Sequence, residues 1–128
     1  MTEYTQKQFD KMNIIDRYKQ CPSGDYSKIK SFGEGCSFGE WCSFGENTII
    51  EKDHKLISYI GIDRIGSRDR KTYFFNCEDG LWVRCGCWFG SIDNFKKRIK
   101  KTYPVGKYHT QYMEAIKFVS KIINLKKI

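Results

Sequence analysis

A six-residue repeat is the feature that most constrains how this chain can fold. Residues 32–37 read FGEGCS, residues 38–43 read FGEWCS and residues 44–49 read FGENTI. The apolar phase of the repeat continues outside these copies, at Tyr26, Ile50, Leu56 and Ile62. A period of six indicates a parallel β-helix, in which each repeat contributes one short strand. A glycine-rich loop with a coincidental repetition is the alternative interpretation.

The three copies resemble the hexapeptide-repeat family, whose fold is a left-handed parallel β-helix. The resemblance covers residues 26–62 and implies about two coils, with the small residues Cys36, Cys42 and Thr48 pointing inward. Residues eighteen apart would then stack, about 4.8 Å from one strand to the next: Phe32 on Ile50, Phe38 on Leu56, and Phe44 on Ile62. Two coils bury too little surface alone, so other elements must cover their ends.

The segment before the repeats has the pattern of a helix. Thr5 and Gln8 form a possible capping box, and apolar residues follow at helical spacing, which predicts a helix over 6–20. Pro22 and Gly24 end it. The chain is long enough for one domain, predicted as an N-terminal cap (1–25), the coils (26–62), and a β-hairpin with two helices (63–128).

The second half begins with a predicted antiparallel hairpin. Residues 71–77 and 81–89 are rich in aromatic and β-branched residues, and Asp79-Gly80 between them favours a type I′ turn. One face would carry Tyr73, Phe75, Cys77, Trp82, Arg84 and Trp88. The other would carry Phe74, Asn76, Leu81, Val83, Cys85, Cys87 and Phe89. Both faces are rich in large apolar groups, so the sheet is covered on both sides or one face binds something.

Two helices are predicted to complete an α+β fold. Ser91 is the expected N-cap of a helix over 92–102, and a final helix is expected over about 109–125. The predicted architecture is therefore an N-terminal helix, a short left-handed β-helix-like repeat, an antiparallel β-hairpin and two C-terminal helices.

Six cysteines and two histidines are the candidates for metal binding and catalysis. Cys77, Cys85 and Cys87 have no convincing fourth ligand for tetrahedral zinc, so we expect buried thiols, no metal and no cofactor. Hexapeptide-repeat acyltransferases use a histidine as general base, and the resemblance makes His54, stacked over Cys36, a weak candidate for that role. Those enzymes have more coils than this chain, so we expect a protein without enzymatic activity. A degenerate acyltransferase remains an alternative.

The positive charge of the chain lies in its second half. Residues 1–64 contain 9 basic and 10 acidic residues, whereas residues 65–128 contain 14 basic and 5 acidic residues. This distribution excludes an acidic mimic of nucleic acid and is compatible with an anionic partner. The candidate partner- or anion-binding residues are Arg64, Arg68, Arg70, Lys71, Arg84, Lys97, Arg98 and Lys101. Tyr73, Trp82 and Trp88 are the candidate aromatic contacts, because charge and base stacking act together in nucleic-acid binding.

The N-terminus is polar, and no apolar run approaches the roughly 18 residues that cross a bilayer. These observations predict a soluble protein with no membrane partner. Exposed coil ends and two apolar hairpin faces are compatible with a homodimer.

The whole chain also resembles small phage and prophage proteins of low-GC bacteria. The resemblance rests on the repeats and on residues 67–76 (SRDRKTYFFN) and 83–90 (VRCGCWFG). It implies a cytoplasmic location in the bacterial host and an accessory role, such as a non-catalytic, anti-CRISPR-like inhibitor of a host nuclease complex. The partner would be a host protein or nucleoprotein complex. Direct binding of nucleic acid or nucleotides by the basic half is the alternative.

Overall fold

A computed structural model describes residues 2–33, 35–39, 42–45, 48–67, 70–86 and 88–126. These residues form a mixed α+β fold with three helices and ten strands. The chain divides into two compact units, one made of Met1–Tyr59 with Cys77–Asp79 and the other of Ile60–Asn76 with Gly80–Ile128. The division falls close to residue 62, where the sequence predicts that the repeats end.

The first unit begins with one short helix and then consists of strands. They are α1 (Gln6–Asp10), β1 (Ile14–Ile15), β2 (Tyr18–Cys21), β3 (Gly24–Tyr26), β4 (Cys36–Phe38), β5 (Cys42–Phe44), β6 (Ile49–Ile50) and the start of β7 (His54–Ile65). The capping box at Thr5 and Gln8 is confirmed. The predicted helix over 6–20 is wrong beyond Asp10, because β1 and β2 form a hairpin there. Asp16 and Arg17, which join these strands, have φ angles of 51° and 74°, and a type I′ turn requires positive φ at both positions.

Parallel pairs connect segments of the first unit that lie about eighteen residues apart. Strand β3 pairs with β5 in a register that joins Tyr26 to Phe44, and an isolated bridge joins Ser31 to Ile49. Strand β2 pairs with β4 at an interval of seventeen residues, from Lys19 to Cys36. The parallel pairing therefore starts earlier than residue 26, within the segment that the sequence predicts as a helix.

The coils predicted over 26–62 do not continue through residues 51–62, and that part of the prediction is wrong. Strand β7 is continuous from His54 to Ile65 and runs antiparallel to β6, with Ile50 opposite His54. The chain thus reverses after β6 instead of turning through another coil, so the predicted stacking of Phe38 on Leu56 and of Phe44 on Ile62 does not arise.

An aromatic core fills the interior of the first unit. The inward positions predicted for Cys36, Cys42 and Thr48 are confirmed by exposures of 1%, 7% and 3%. The ring of Tyr26 contacts those of its neighbours at centroid distances of 5.0–6.5 Å. These neighbours are Tyr4, Phe9, Phe32, Phe38 and Phe44. The apolar phase of the repeat is therefore the inside of this unit.

The second unit is a sheet packed on two helices. Its strands are the end of β7, β8 (Arg70–Cys77), β9 (Gly80–Cys85) and β10 (Trp88–Ser91), in the order β10-β9-β8-β7. The helices are α2 (Ile92–Thr102) and α3 (Lys107–Lys126). Both predicted helices are confirmed, and the Ser91 side chain caps α2 by accepting a hydrogen bond from the backbone N–H of Asn94.

The predicted hairpin is confirmed, but its turn is not type I′. Only Glu78 and Asp79 separate β8 from β9, and so short a link joins antiparallel strands. A type I′ turn at Asp79-Gly80 would need positive φ at both residues. Gly80 has a φ of 132°, whereas Asp79 is not among the described residues with positive φ.

The predicted single strand over 81–89 is wrong, and this changes which side chains share a face. The chain turns at Gly86, where φ is 62°, and Trp88 in β10 pairs with Cys85 in β9. Trp88 therefore joins Phe74 and Val83 on the helix-covered face. Phe89 moves to the opposite face, where its ring stacks on Trp82 at 5.6 Å.

Candidate functional site

Helix α2 carries a group of exposed cations in the second unit. Phe95 and Ile99, each 2% exposed, turn inward and hold the helix on the sheet. Lys97, Arg98 and Lys101 are consequently exposed. Within the described part of the chain, none of these three cations forms an ion pair with a carboxylate. Their charge is therefore available to an external partner.

A cleft of about 360 Å³ opens beside α2 within the second unit. Four aromatic residues line it in a continuous chain of ring contacts: Trp88 to Phe95 at 5.4 Å, Phe95 to Tyr112 at 5.5 Å, and Tyr112 to Tyr103 at 6.1 Å. This volume lies within the range of about 300–1,000 Å³ that is usual for small-ligand sites. We call this cavity the aromatic cleft.

A small number of polar groups belong to the aromatic cleft. The guanidinium carbon of Arg98 lies 5.6 Å from the Trp88 ring centroid, and Arg98 is the only charged side chain among the described lining residues. The hydroxyls of Ser67 and Tyr103 are hydrogen-bonded to each other at 2.5 Å. A cavity that combines aromatic rings with one cation and a few hydroxyls suits an anionic or neutral ligand with a planar ring.

Tyr112 is anchored at the inner side of the cleft. Burial, followed by the nearby Cys85 thiol, raises the pKa of Tyr112 above its ordinary value. Its hydroxyl is 3.7 Å from the Cys85 sulfur, which also accepts a hydrogen bond from Thr72. The raised pKa favours the neutral phenol, whose hydroxyl is paired with the Cys85 sulfur in the wall of the cleft.

The other predicted cations do not belong to the group of cations on α2, and those that the structure describes lie on strands. Arg84 is 2% exposed and lies 5.0 Å from the Phe89 ring centroid, and Lys71 pairs with Asp63 at 3.5 Å. Arg64 is exposed in β7. Arg68 lies outside the described residues, as does the side chain of Arg70, whose backbone begins β8.

The three residues predicted as aromatic contacts lie at different places in the second unit. Trp88 lines the aromatic cleft, and Trp82 is half-buried against Phe89. Tyr73 is 2% exposed and stacks on Phe75, so its ring belongs to the interior. Of the predicted residues, the structure brings Arg98 to Trp88 at the aromatic cleft, and Lys71 to the buried Tyr73 ring, 5.8 Å from Nζ to the centroid.

His54 lies opposite Ile50 on an antiparallel strand, so its predicted stacking over Cys36 is wrong. Its Nδ1 atom lies 2.6 Å from Oδ2 of Asp79. This pair links the start of β7 to the turn after β8.

Tyr103, Tyr112, Ser67 and Cys85 were not predicted as members of a site. Tyr112 lies on the apolar stripe of α3, and Cys85 was expected to be buried. Ser67 lies in the turn after β7, and Tyr103 is the C-cap of α2. Only Tyr103 could have been suspected from the sequence. It precedes Pro104 at the expected end of a helix, and the loops that follow such ends often carry binding groups.

No disulfide joins the described cysteines, which are Cys21, Cys36, Cys42, Cys77 and Cys85. Among the described residues, no group of three or more His, Cys, Asp or Glu side chains could hold a metal ion. Cys87 lies outside these residues. Cys77 is 3% exposed, whereas Cys85 is half-buried at the aromatic cleft.

At about pH 8, an alkylating reagent should modify Cys85 much faster than Cys77, because the thiolate is the reactive form. Burial, and after it the Asp79 carboxylate, raises the pKa of Cys77 to about 12. A raised pKa keeps this thiol neutral, so its thiolate fraction is on the order of one ten-thousandth at that pH. Peptide mass spectrometry at timed intervals measures both rates, with urea-unfolded protein as the control. Equal rates in the folded protein would contradict the prediction.

Comparison of the chain with protein-family models, curated proteins and solved structures found no match in any of the three. In the part of the chain that the structure describes, every helix is too short or too polar to cross a membrane.

Proposed function

We propose that the protein is a non-catalytic binding protein whose second unit holds single-stranded nucleic acid. The observation that carries the proposal is the position of Arg98, which lies over the Trp88 ring at the aromatic cleft. Lys97 and Lys101 extend this positive charge along the same helix. Cations that follow a backbone, beside aromatic rings that stack on bases, are the two elements of sequence-tolerant single-strand binding.

The charge distribution of the whole chain supports the same partner. The excess of basic residues belongs to residues 65–128, which include α2 and α3. Such a field attracts a polyanion and accelerates its association. Together with the resemblance to phage proteins, it favours an accessory role in which the bound strand belongs to the host or to a host nuclease complex.

A host protein is the second candidate partner, and a feature of the first unit favours it. Ile14 and Ile15 are 66% and 57% exposed and form the edge strand of the sheet β1-β2-β4. Exposed aliphatic side chains on a sheet edge are typical of protein-binding surfaces. A pull-down from host lysate with and without nuclease distinguishes the candidates, since only a protein contact survives loss of the nucleic acid.

We also infer that residues 18–50 form a short β-helix of the hexapeptide class, left-handed as in that family. The support is the parallel pairing at intervals of seventeen and eighteen residues, together with the inward Cys36, Cys42 and Thr48. In this proposal the first unit is a scaffold and the second unit is the binding part.

Reversing two charges on α2 should weaken binding of a short fluorescein-labelled single-stranded DNA. For Lys97→Glu with Lys101→Glu, we expect the slope of log affinity against log salt to decrease in magnitude by about 1.4, because each lysine neutralises about one phosphate and a single strand contributes about 0.7 to the slope per phosphate. Fluorescence anisotropy over a range of salt concentrations measures this slope.

The matched control is Lys117→Glu with Lys121→Glu. These lysines are also exposed, also four residues apart, and lie on α3, so the change in net charge is identical. Unchanged binding by the α2 variant, or an equal loss in both variants, would contradict a binding site on α2.

A further inference from the structure

We propose that the aromatic cleft is a pocket for one nucleobase of the bound strand, with an adjoining phosphate held by Arg98. This inference rests on the proposed function and specifies which part of the strand enters the protein. It assigns the base to the cavity and the backbone to the exposed side of α2.

The walls of the cleft have the chemistry that a base requires. Trp88, Phe95, Tyr103 and Tyr112 present aromatic surface around a volume of about 360 Å³. Each base has an aromatic face, and stacking on a side chain therefore needs no particular sequence. Since the described lining residues include no carboxylate, nothing among them repels the negative charge that accompanies the base.

Arg98 stands where the sugar-phosphate backbone would leave the pocket. It is exposed, yet its guanidinium stays over the Trp88 ring. The planar guanidinium presents several N–H groups that match two phosphate oxygens at once. In this arrangement Arg98 lies beside both the stacked nucleobase and the phosphate group of the same nucleotide.

The hydroxyl groups can satisfy the polar edge of a base. Ser67 and Tyr103 share one hydrogen bond, and each oxygen keeps further capacity to donate or accept. Since hydroxyls can reorient, the pocket suits several bases, in agreement with binding that tolerates different sequences.

The test compares two labelled DNA strands that are identical except that one carries abasic sites. Both have the same phosphates, so the contacts of α2 cations are the same for each. We expect the abasic strand to bind the wild-type protein about tenfold more weakly or worse, because one stacked base is lost. Equal affinity for both strands would overturn the base pocket and leave the proposed function intact. Failure of both strands to bind would overturn the proposed function as well.

Variants then locate the effect at the cleft. Trp88→Leu should bring the affinity for the complete strand close to that for the abasic strand, with the salt slope unchanged. Trp88→Phe should restore most of the difference. Trp82→Leu is the matched control, because Trp82 is also half-buried but stacks on Phe89 away from the cleft. An equal loss in the Trp82 variant, or full discrimination by Trp88→Leu, would overturn the proposal.

Thermal unfolding shows whether each variant folds. If Trp88→Leu does not fold, the comparison of the two strands on wild-type protein decides the proposal alone. The charge-reversed α2 variant gives a further distinction, since it should weaken the complete and abasic strands by the same factor.

Discussion

Replacing Phe32 with alanine should lower the free energy of unfolding of the first unit by about 3–5 kcal/mol. Phe32 is 4% exposed, and its ring contacts four others at centroid distances of 5.1–5.9 Å: those of Phe9, Tyr26, Phe38 and Phe44. The truncated side chain would leave a cavity between rings that belong to different repeats. Backbone pairing on both sides prevents those repeats from closing it.

Hydrogen exchange at the amides of β2 and β4 measures this loss within the first unit, and urea unfolding gives an independent value. The control is Phe118→Ala, the same truncation at a side chain that is 54% exposed on α3. That change should stay within about 0.5 kcal/mol, as expected for a surface position. A loss below about 1 kcal/mol for Phe32→Ala would contradict the packing described for this core.

Replacing Gly45 with alanine should destabilise the first unit by about 3 kcal/mol or more. A Cβ atom at this position would lie 3.2 Å from the carbonyl carbon of Ser27 and still closer to its oxygen. Both are backbone atoms of the segment eighteen residues earlier, and they cannot withdraw as the end of a side chain can. The close approach explains why glycine follows phenylalanine in this copy of the repeat.

Gly61→Ala is the control for this substitution. Gly61 lies in β7, and the nearest atom to its added Cβ would be Cδ of the flexible Lys71 side chain, at 3.1 Å. We expect a change within about 1 kcal/mol, because alanine also costs less conformational entropy than glycine. Hydrogen exchange within each unit measures both variants. A milder effect at Gly45 than at Gly61 would contradict the steric explanation.

The period of the repeat correctly predicted that paired segments lie about eighteen residues apart in sequence. It was less accurate about which residues begin and end the parallel pairing. The inward positions of Phe32, Cys36, Phe44 and Thr48 were implied by the resemblance to the hexapeptide-repeat family, in which the apolar and the small positions point inward. The early strands were missed because residues 18–26 contain no copy of the FGE triplet that marks the repeats. Tyr18 there fits a helical spacing equally well.

Turns account for the other errors in the predicted fold. Asp16 and Arg17 form a tight turn without glycine or asparagine, so the usual composition signal is missing. Gly86 ends β9, and one turn of the chain is enough to exchange the faces of Trp88 and Phe89. Local sequence indicates that a turn is possible, while the packing of both strands decides where it forms.

The sequence was sufficient to predict the exposed cations of the candidate site. It was not sufficient to predict the cavity beside them. The cations of α2 follow from the helical period, which turns Phe95 and Ile99 inward and leaves Lys97 and Arg98 outside. The aromatic cleft depends on where α3 and the turn after β7 pack against α2. That is a tertiary arrangement, and no local pattern contains it.

The edges of the first unit limit how large the repeat structure can become. Strand β2 is covered by β1, and Asp25 in β3 is already bridged to Glu3. The parallel stack therefore cannot continue past β2 and Asp25, although β1 remains an edge strand of its own sheet. Lengthening the stack would require inserting a whole coil into the interior of the sequence, so the N-terminal residues act as a stop for growth.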